Sequence, residues 1–326
     1  MKDRSGKLIV LILMMMAVYF AYKNGQMLSD RYVIWRNPPS AEVVEFADRT
    51  GMRDLGRQVF FASTPSIDDA EAFNEHCSDI ETTMIILGCH VGGKIYVFNV
   101  RDERIADAKY VTSAHEMLHA AYVRLSEGER AKINNLLEDE YRRAGDSAEF
   151  RTVMAEYAQV EPGQRDNELH SILGTEFAAL SPELEDYYAR YFTDRHKVAN
   201  MTARYKEVFA KLEDGQTKLK AQLDRLAAKI KADSSLFDTL AFQLNDDIDA
   251  FNTKEFRSRT EWNAARQALV EREHDINSFK WQINADISRY DAYVEEYNSL
   301  GGKIAHLNQQ IDSKSQAGIR TIKGAS

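Results

Sequence analysis

The chain has 326 residues, a formal net charge of −9 and only two cysteines. The acidic balance argues against nucleic acid as a partner, because phosphate backbones are bound by basic surfaces. The sequence contains no glycine-rich phosphate loop, no serine nucleophile elbow and no Cys-x-x-Cys pair. Its length accommodates an N-terminal helix, one domain of about 150 residues and one pair of long helices.

The N-terminal segment, residues 1–23, has the features of a signal anchor. An uncharged apolar run from Leu8 to Tyr22 follows three basic residues and ends at Lys23. No small-residue cleavage site follows, which favours an uncleaved transmembrane helix over a removed signal peptide. By the positive-inside rule, the N-terminus is predicted to be cytoplasmic and everything after Lys23 extracytoplasmic. The sequence therefore predicts a single-pass protein of the cell membrane, with the lipid bilayer as a partner.

The two cysteines, Cys77 and Cys89, agree with this placement. An even number of cysteines in an extracytoplasmic domain is compatible with one disulfide that closes a small loop. Two free buried thiols are the alternative. A structural metal bound by the cysteines with the neighbouring His76 and His90 is disfavoured, because adjacent residues rarely point at the same ion.

Residues 24–40 are predicted to be a linker, and Asn37-Pro-Pro-Ser40 breaks regular structure before a domain begins. Residues 41–195 are expected to form this domain, of the α+β class. It starts with a helix after Ser40 and continues with strands near Val59–Ala62 and within residues 92–100, where β-branched and aromatic residues favour strands. Helix boundaries are then indicated by local signals: capping boxes at Ser126–Glu129 and Asp146–Glu149, Gly145 at a helix end, Pro162-Gly163 between helices and Ser181-Pro182 at a helix start.

The most informative motif is the run HEMLH at residues 115–119. On a helix, positions i and i+4 lie on one face, so the imidazoles of His115 and His119 can both reach one zinc ion. Glu116 lies beside the open coordination position and can take a proton from water there. The flanking residues carry no other charge, and a buried carboxylate without a partner is costly. The motif therefore predicts a zinc-dependent hydrolase.

This motif resembles the extended signature of the zincin metallopeptidases. The residues after His119 include neither the glycine nor the third histidine of the metzincins, which leaves the gluzincin pattern with a glutamate on a later helix as third ligand. The resemblance covers residues 90–180. It implies a small zincin-like catalytic domain and a polypeptide substrate that lies along the strand just before the motif helix. It also implies a histidine or tyrosine near the third-ligand helix that stabilises the oxyanion.

The third ligand is expected on a helix formed by residues 167–180. The apolar residues of this segment fall on one arc, and Glu176 lies in the middle of it. A carboxylate inside an apolar stripe needs a partner, so Glu176 is the preferred zinc ligand. Glu168 is the alternative, although backbone N–H groups at the helix start would also satisfy its carboxylate. By the resemblance, His170 is the candidate catalytic residue that stabilises the oxyanion.

Residues 196–326 are predicted to form an antiparallel coiled-coil hairpin. Apolar residues recur every seven positions in two runs: Leu223, Ile230, Phe237, Leu244 and Phe251, then Trp262, Leu269, Ile276, Ile283, Tyr290, Tyr297, Ile304 and Ile311. Heptads sustained over this length are typical of coiled coils. Residues 252–260 are polar and lack the repeat, so the chain is expected to turn there.

Two functions of different classes follow from these patterns. The first is a membrane-anchored zinc metallopeptidase of the gluzincin type, whose coiled coil positions the enzyme or recruits a protein partner. The second is a non-catalytic envelope scaffold or adaptor that acts through its coiled coil.

Overall fold

A computed structural model describes residues 2–77, 85–144, 150–152, 154–155 and 163–316 of the chain. The chain divides into two compact units: the first comprises residues 1–208 with 307–326, and the second comprises residues 209–306. The described part is mostly helical and contains one small mixed sheet, in agreement with the predicted α+β class.

The first helix, α1 (Lys2–Arg36), continues through most of the predicted linker. Asn24 departs from helical backbone angles inside it (φ −115°, ψ 15°). Beyond this point α1 docks on the domain, where the Asp30 carboxylate accepts hydrogen bonds from Gln26 (2.9 Å) and Gln58 (3.3 Å). The linker prediction is therefore wrong for residues 24–36, because the polar residues of this segment anchor a packed helix.

The apolar run from Leu8 to Tyr22 lies within α1. Several of its side chains, such as Met14 and Val18, are exposed. No helix in the part of the chain that the structure describes is long and apolar enough to cross a membrane.

Two short helices open the domain, α2 (Ala41–Arg49) and α3 (Asp54–Ala62). The predicted start of α2 is confirmed, since the Ser40 hydroxyl accepts a hydrogen bond from the Val43 N–H (3.2 Å). The strand predicted at Val59–Ala62 is wrong, because these residues form the last turn of α3. Val59 and Ala62 are on the buried face of that helix, and a short apolar run fits either a strand or an amphipathic helix.

The sheet contains β1 (Ser66–Asp68), β2 (Gly88–Val91) and β3 (Lys94–Phe98) in the order β1-β3-β2. β1 is parallel to β3, and β2 is antiparallel to it. Gly92 and Gly93 connect β2 to β3 with φ angles of 60° and 78°, which glycine adopts without strain. The strand predicted within residues 92–100 is confirmed as β3, but it is the central strand, so the expectation that it forms the substrate edge is wrong. β2 is an edge strand instead.

A disulfide joins Cys89 of β2 to Cys77, the last residue of α4 (Ala70–Cys77). The two Cα atoms are 6.1 Å apart. The predicted disulfide is confirmed, and a metal site formed by free cysteines is excluded. A cross-link over this short separation contributes roughly 3 kcal/mol in the chain-entropy description.

The remaining helices of the first unit's domain are α5 (Asp107–Val123), α6 (Glu127–Ala144), α7 (Arg165–Glu176) and α8 (Pro182–Tyr188). The capping box before α6 is confirmed, because the Glu129 carboxylate accepts from the Ser126 N–H (3.0 Å) and the Ser126 hydroxyl accepts from the Glu129 N–H (3.4 Å). α8 starts as predicted, with Pro182 at its first position. The capping box predicted at residues 146–149, Gly145 and Pro162 lie outside the described residues.

The hydrophobic core lies between the sheet, α5 and α7. All three contribute fully buried side chains to it, among them Ile95, Val97, Ala114, Met117, Leu118, Leu169 and Leu173. α5 and α7 approach closely at Gly174, where a Cβ atom would lie 2.4 Å from Leu118 Cδ1. This close approach brings together the two helices that carry the predicted metal ligands.

Two long helices follow, α9 (His196–Thr253) and α10 (Arg259–Ile311), and the break between them falls where the turn was predicted. Within the second unit they are joined by ion pairs between Lys229 and Asp286 (2.7 Å) and between Arg272 and Asp247. Several heptad residues are buried between them, including Leu223, Leu244, Ile276 and Ile283.

Candidate metal centre

His115 and His119 lie on α5, whose residues from Tyr110 to Tyr122 are almost all buried. One helical turn separates the two imidazoles, and their Nε2 atoms are 3.0 Å apart. The predicted pair of histidines is therefore brought together at the buried surface of α5. The other residues of this helix are mostly small or apolar, so α5 can pack against the sheet on one side and α7 on the other.

Glu168 completes a three-residue cluster from the facing helix α7. Its Oε1 atom is 3.3 Å from His119 Nε2, and its Oε2 atom is 3.6 Å from His115 Nε2. One ligand atom from each of the three residues lies within 4.8 Å of the other two. The structure thus brings Glu168, the alternative in the sequence analysis, next to the histidine pair.

Glu176, the preferred third ligand in the sequence analysis, is not part of this cluster. It is the last residue of α7, and its carboxylate pairs with Lys206 Nζ at 2.6 Å. The apolar arc on which the preference rested does not identify the face toward α5, because α7 is buried on all sides from Asn167 to Thr175. The positive charge that compensates Glu176 is therefore the Lys206 ammonium group and not a metal ion.

The geometry of the cluster fits a tetrahedral zinc site. Two ligand atoms that each lie 2.0–2.1 Å from a tetrahedral zinc are about 3.3 Å apart. The observed separations are close to this value: 3.0 Å between the two Nε2 atoms, 3.3 Å from His119 Nε2 to Oε1 of Glu168, and 3.6 Å from His115 Nε2 to its other oxygen, Oε2. Two imidazole nitrogens and one carboxylate oxygen are also a donor set that zinc uses in catalytic sites. Oε2 of Glu168 is buried and makes no hydrogen bond to the described residues.

Burial and mutual charge set the protonation of the three groups. Burial lowers the pKa of His119 to about 4, so this imidazole is neutral near pH 7. Burial also acts on His115, but the nearby Glu168 carboxylate, at 3.6 Å, outweighs it and raises the pKa of His115. The pKa of Glu168 is lowered, since the two imidazoles outweigh the effect of burial. A neutral His119 and an ionised Glu168 are the forms that coordinate a metal.

Glu116, the predicted general base, is buried on α5 with 5% of its surface exposed. Its side chain lies over the edge strand at Gly88, where a Cβ atom would be 2.7 Å from Glu116 Oε1 and 2.4 Å from Thr112 Cγ2. Only glycine leaves room for this approach. The Glu116 side chain therefore packs directly against β2.

A cavity of about 530 Å³ opens beside these residues. Its walls include the segment 85–93 that contains β2, the α5 residues His115, Glu116 and His119, and both Glu168 and Glu176 of α7. Tyr205 near the start of α9 also lines it. The volume is in the range that binds drug-sized ligands or several residues of a peptide.

His170, the predicted oxyanion-stabilising residue, does not line this cavity. It is fully buried, with Nε2 3.0 Å from the Tyr187 hydroxyl, and its carbonyl accepts a hydrogen bond from the Tyr188 hydroxyl. Burial lowers its pKa to about 3. The prediction that His170 contacts the reacting group is not supported, because the His170 side chain points into the core, where it packs among tyrosines.

Sequence reasoning missed two cavity residues, His90 and Tyr205. Gly-Cys-His-Val at residues 88–91 is too short and too poor in strand-forming residues to predict β2. Tyr205 belongs to the start of a helix that the heptad pattern assigned to the coiled coil. The sequence alone does not indicate that either residue lies close to the HEMLH motif.

Comparisons with protein-family models, with curated proteins and with solved structures found no match to this chain.

Proposed function

We propose that this protein is a zinc-dependent metallopeptidase of the gluzincin type, in which His115, His119 and Glu168 hold the metal. The observation that carries the proposal is the convergence of these three side chains from two helices, at separations that suit a tetrahedral zinc. Burial of the cluster at the wall of a cavity adds support, because unpaired charges are not placed there without compensation.

Zinc in this position would supply a Lewis acid that makes water acidic enough to ionise near neutral pH. Glu116 then acts as general base: it accepts a proton from the attacking water and passes it to the leaving nitrogen. Its position over Gly88 keeps its carboxylate at the cavity wall. Because Glu116 is buried, bulk water competes little for that proton.

An extended polypeptide is the substrate that the cavity suits best. β2 is an edge strand and lines the cavity along its length, so its outer backbone groups are placed to pair with an added strand. Two exposed apolar side chains flank this edge: Ile85 lies three residues before β2, and Val91 is its last residue. The carbonyl of a peptide paired there would pass over Glu116 and the histidine pair.

The proposal extends to the compartment in which the protein works and to the role of its long helices. The disulfide supports an oxidising, extracytoplasmic compartment, and the N-terminal apolar run is proposed to attach the protein to the membrane. α9 and α10 are proposed to pair as an antiparallel coiled-coil hairpin that positions the enzyme or recruits a protein partner. The ion pairs within the second unit support this pairing.

A scaffold without catalytic activity is the second candidate. The observation in its favour is the exposure of large apolar side chains on the long helices, such as Phe242 at 67% and Trp281 at 74%. Such residues are common at protein interfaces. In this alternative the histidine cluster binds metal only for structure.

The two candidates are separated by peptide cleavage with a matched variant. The full chain is expected to contain one zinc and to cleave members of an unstructured peptide library. Glu116→Gln should retain zinc and lose cleavage by at least about 10²-fold, the lower range for a lost general base. One zinc per chain with no cleavage by wild-type protein would favour the scaffold, and cleavage by Glu116→Gln at the wild-type rate would overturn the proposed mechanism.

A further inference from the structure

The part of α1 that follows Asn24 is held on the domain by one of its faces. Asp30 is buried on this face, and its carboxylate accepts from Gln58 at 3.3 Å and pairs with Arg124 at 3.4 Å. Three apolar residues on the same side of the helix are half-buried: Met27, Val33 and Ile34. These contacts fix which side of the helix points away from the domain.

The side that points away from the domain is apolar and exposed. Leu28, Tyr32 and Trp35 occupy positions i, i+4 and i+7, which lie on one side of a helix. Their exposed fractions are 42%, 55% and 78%. The ring centroids of Tyr32 and Trp35 are 6.1 Å apart, so the two rings form one surface. Large apolar side chains grouped in this way mark an interaction site.

The exposed charges beside this surface are positive. Arg31 and Arg36 are exposed, and at about 100° per residue they lie on opposite sides of the apolar row. Between Asn24 and Arg36 the sequence has one acidic residue, Asp30, and it is turned toward the domain. Because the whole chain has a net charge of −9, a basic surface is an exception in it. The partner that suits this surface combines an apolar layer with negative charge.

A bilayer with anionic headgroups has both properties. Tyrosine and tryptophan are enriched at membrane interfaces, and arginines near the surface are attracted by anionic lipids. The surface also follows directly on the apolar run from Leu8 to Tyr22. As a helix this run spans about 22 Å, less than the hydrocarbon core of about 30 Å, so the residues after it begin at the interface.

We propose that Leu28, Tyr32 and Trp35 form a membrane-binding surface that enters the headgroup layer of an anionic bilayer. Arg31 and Arg36 contact lipid phosphates beside it. The proposal rests on the proposed attachment of the N-terminal apolar run to the membrane, and it does not require peptidase activity.

This surface orients the domain at the membrane. Its helix is tied to the helix that carries the metal ligands, because Arg124, the partner of Asp30, directly follows α5. The domain is therefore held at the bilayer by the side of the molecule on which α5 ends, and it does not turn freely on its anchor.

Tryptophan fluorescence in vesicles tests the proposal. The chain has three tryptophans, so the full chain with Trp262→Phe and Trp281→Phe retains only Trp35. It is placed in vesicles of phosphatidylcholine and phosphatidylglycerol whose acyl chains carry bromine either near the headgroups or near the chain ends. Trp35 should be quenched, and more strongly by bromine near the headgroups. The matched control retains only Trp281, which is 74% exposed on α10 and should not be quenched.

Removal of the two arginines tests the charge of the surface. In the chain that retains only Trp35, Arg31→Gln with Arg36→Gln should lower the quenching to the level found in vesicles of phosphatidylcholine alone. Arg49→Gln is the matched control, because Arg49 is exposed on α2 and pairs with Glu45, and it should leave the quenching unchanged. Equal quenching with and without Arg31 and Arg36 would overturn their contact with lipid phosphates.

Flotation of the same samples separates the outcomes. If the protein floats with the vesicles but Trp35 is not quenched, the surface does not bind lipid: unshifted emission places it in water, and blue-shifted emission shows that a second copy covers it. Equal quenching of Trp281 would also overturn the proposal, because the effect would not depend on this surface. Protein that does not float would overturn the membrane attachment as well. Zinc content and cleavage enter none of these readouts, so the peptidase function is tested separately.

Discussion

Glu168 and Glu176 stand eight residues apart on α7, a separation of about 12 Å along the helix axis. Only one of them can therefore meet the histidine pair of α5. Glu168 does so near the start of α7, whereas Glu176 pairs with Lys206 at its end. Glu168 is therefore the proposed third zinc ligand, and Glu176 is not.

Alanine substitution of the two glutamates should give opposite results. Glu168→Ala removes the proposed third ligand and is expected to weaken zinc binding at least about 100-fold, beyond the usual loss for an outer-shell group. Glu176→Ala makes the same chemical change on the same helix and should leave affinity within about 3-fold. Competition with a chelator measures both. Loss of zinc from Glu176→Ala alone would reverse the assignment.

The sequence identified the residues of the HEMLH motif because their spacing alone places them on one helical face. It kept Glu168 as a candidate but ranked Glu176 higher, since an apolar arc predicts burial and not the neighbour that a residue meets. The role assigned to His170 failed for a similar reason: sequence separation from the ligand does not say whether a side chain reaches the cavity or the core.

At the scale of elements, the site depends on the approach of β2 to α5. Gly88 allows it, because any side chain there would overlap Thr112 and Glu116. This strand could not be predicted, since four residues that include glycine and cysteine carry no strand signal. β3 was predicted from its β-branched and aromatic residues, but its central position follows from pairing on both sides, which one strand's sequence does not contain.

Gly88→Ala should lower activity without removing the metal. The new methyl group displaces the Glu116 side chain, and a misplacement of about 1 Å can reduce the rate up to about 100-fold. We expect a fall in kcat of about 10-fold or more, with zinc content unchanged. Gly128→Ala is the control, because Gly128 has no neighbouring atom within 4 Å of an added Cβ. Unchanged kcat in Gly88→Ala would show that Glu116 does not need this position.

At the scale of the whole molecule, the stability of the first unit depends on a buried arginine. Arg195 donates to the Phe177 carbonyl (2.5 Å) and to Glu185 (3.0 Å), and so joins the end of α7 to α8 and the start of α9. The Arg195 side chain is 2% exposed. Although burial opposes it, the hydrogen bond from Arg195 leaves the pKa of Glu185 below its ordinary value.

Arg195→Met should destabilise the protein by about 3 kcal/mol, because it leaves carbonyls and a carboxylate without their donor. A carboxyl group with a lowered pKa in the folded state stabilises above its unfolded-state pKa. This contribution is lost as the pH falls through the folded-state value. The difference in unfolding free energy between wild type and Arg195→Met should therefore shrink below about pH 4.3.

Denaturant unfolding between neutral and acidic pH measures this difference. Arg142→Met is the matched control, since Arg142 forms an exposed ion pair with Asp139 and should change stability by less than about 1 kcal/mol. An equal effect of Arg195→Met at all pH values would contradict the contribution of Glu185.

The two long helices were predicted from their heptads because a seven-residue apolar repeat over this length is characteristic of long paired helices.

α1 was predicted less well. Its composition indicated an apolar segment followed by a linker, but the contacts of Asp30 with Gln58 and Arg124 are formed between residues far apart in the sequence. Tertiary contacts of this kind are not visible in local composition.

The central claim is that His115, His119 and Glu168 hold one zinc ion, and anomalous diffraction at the zinc edge tests it most directly. Crystals of the full chain should show one strong peak, about 2.0–2.2 Å from Nε2 of both histidines and from a carboxylate oxygen of Glu168. No peak between α5 and α7, or a peak bound by Glu176 instead of Glu168, would contradict the account.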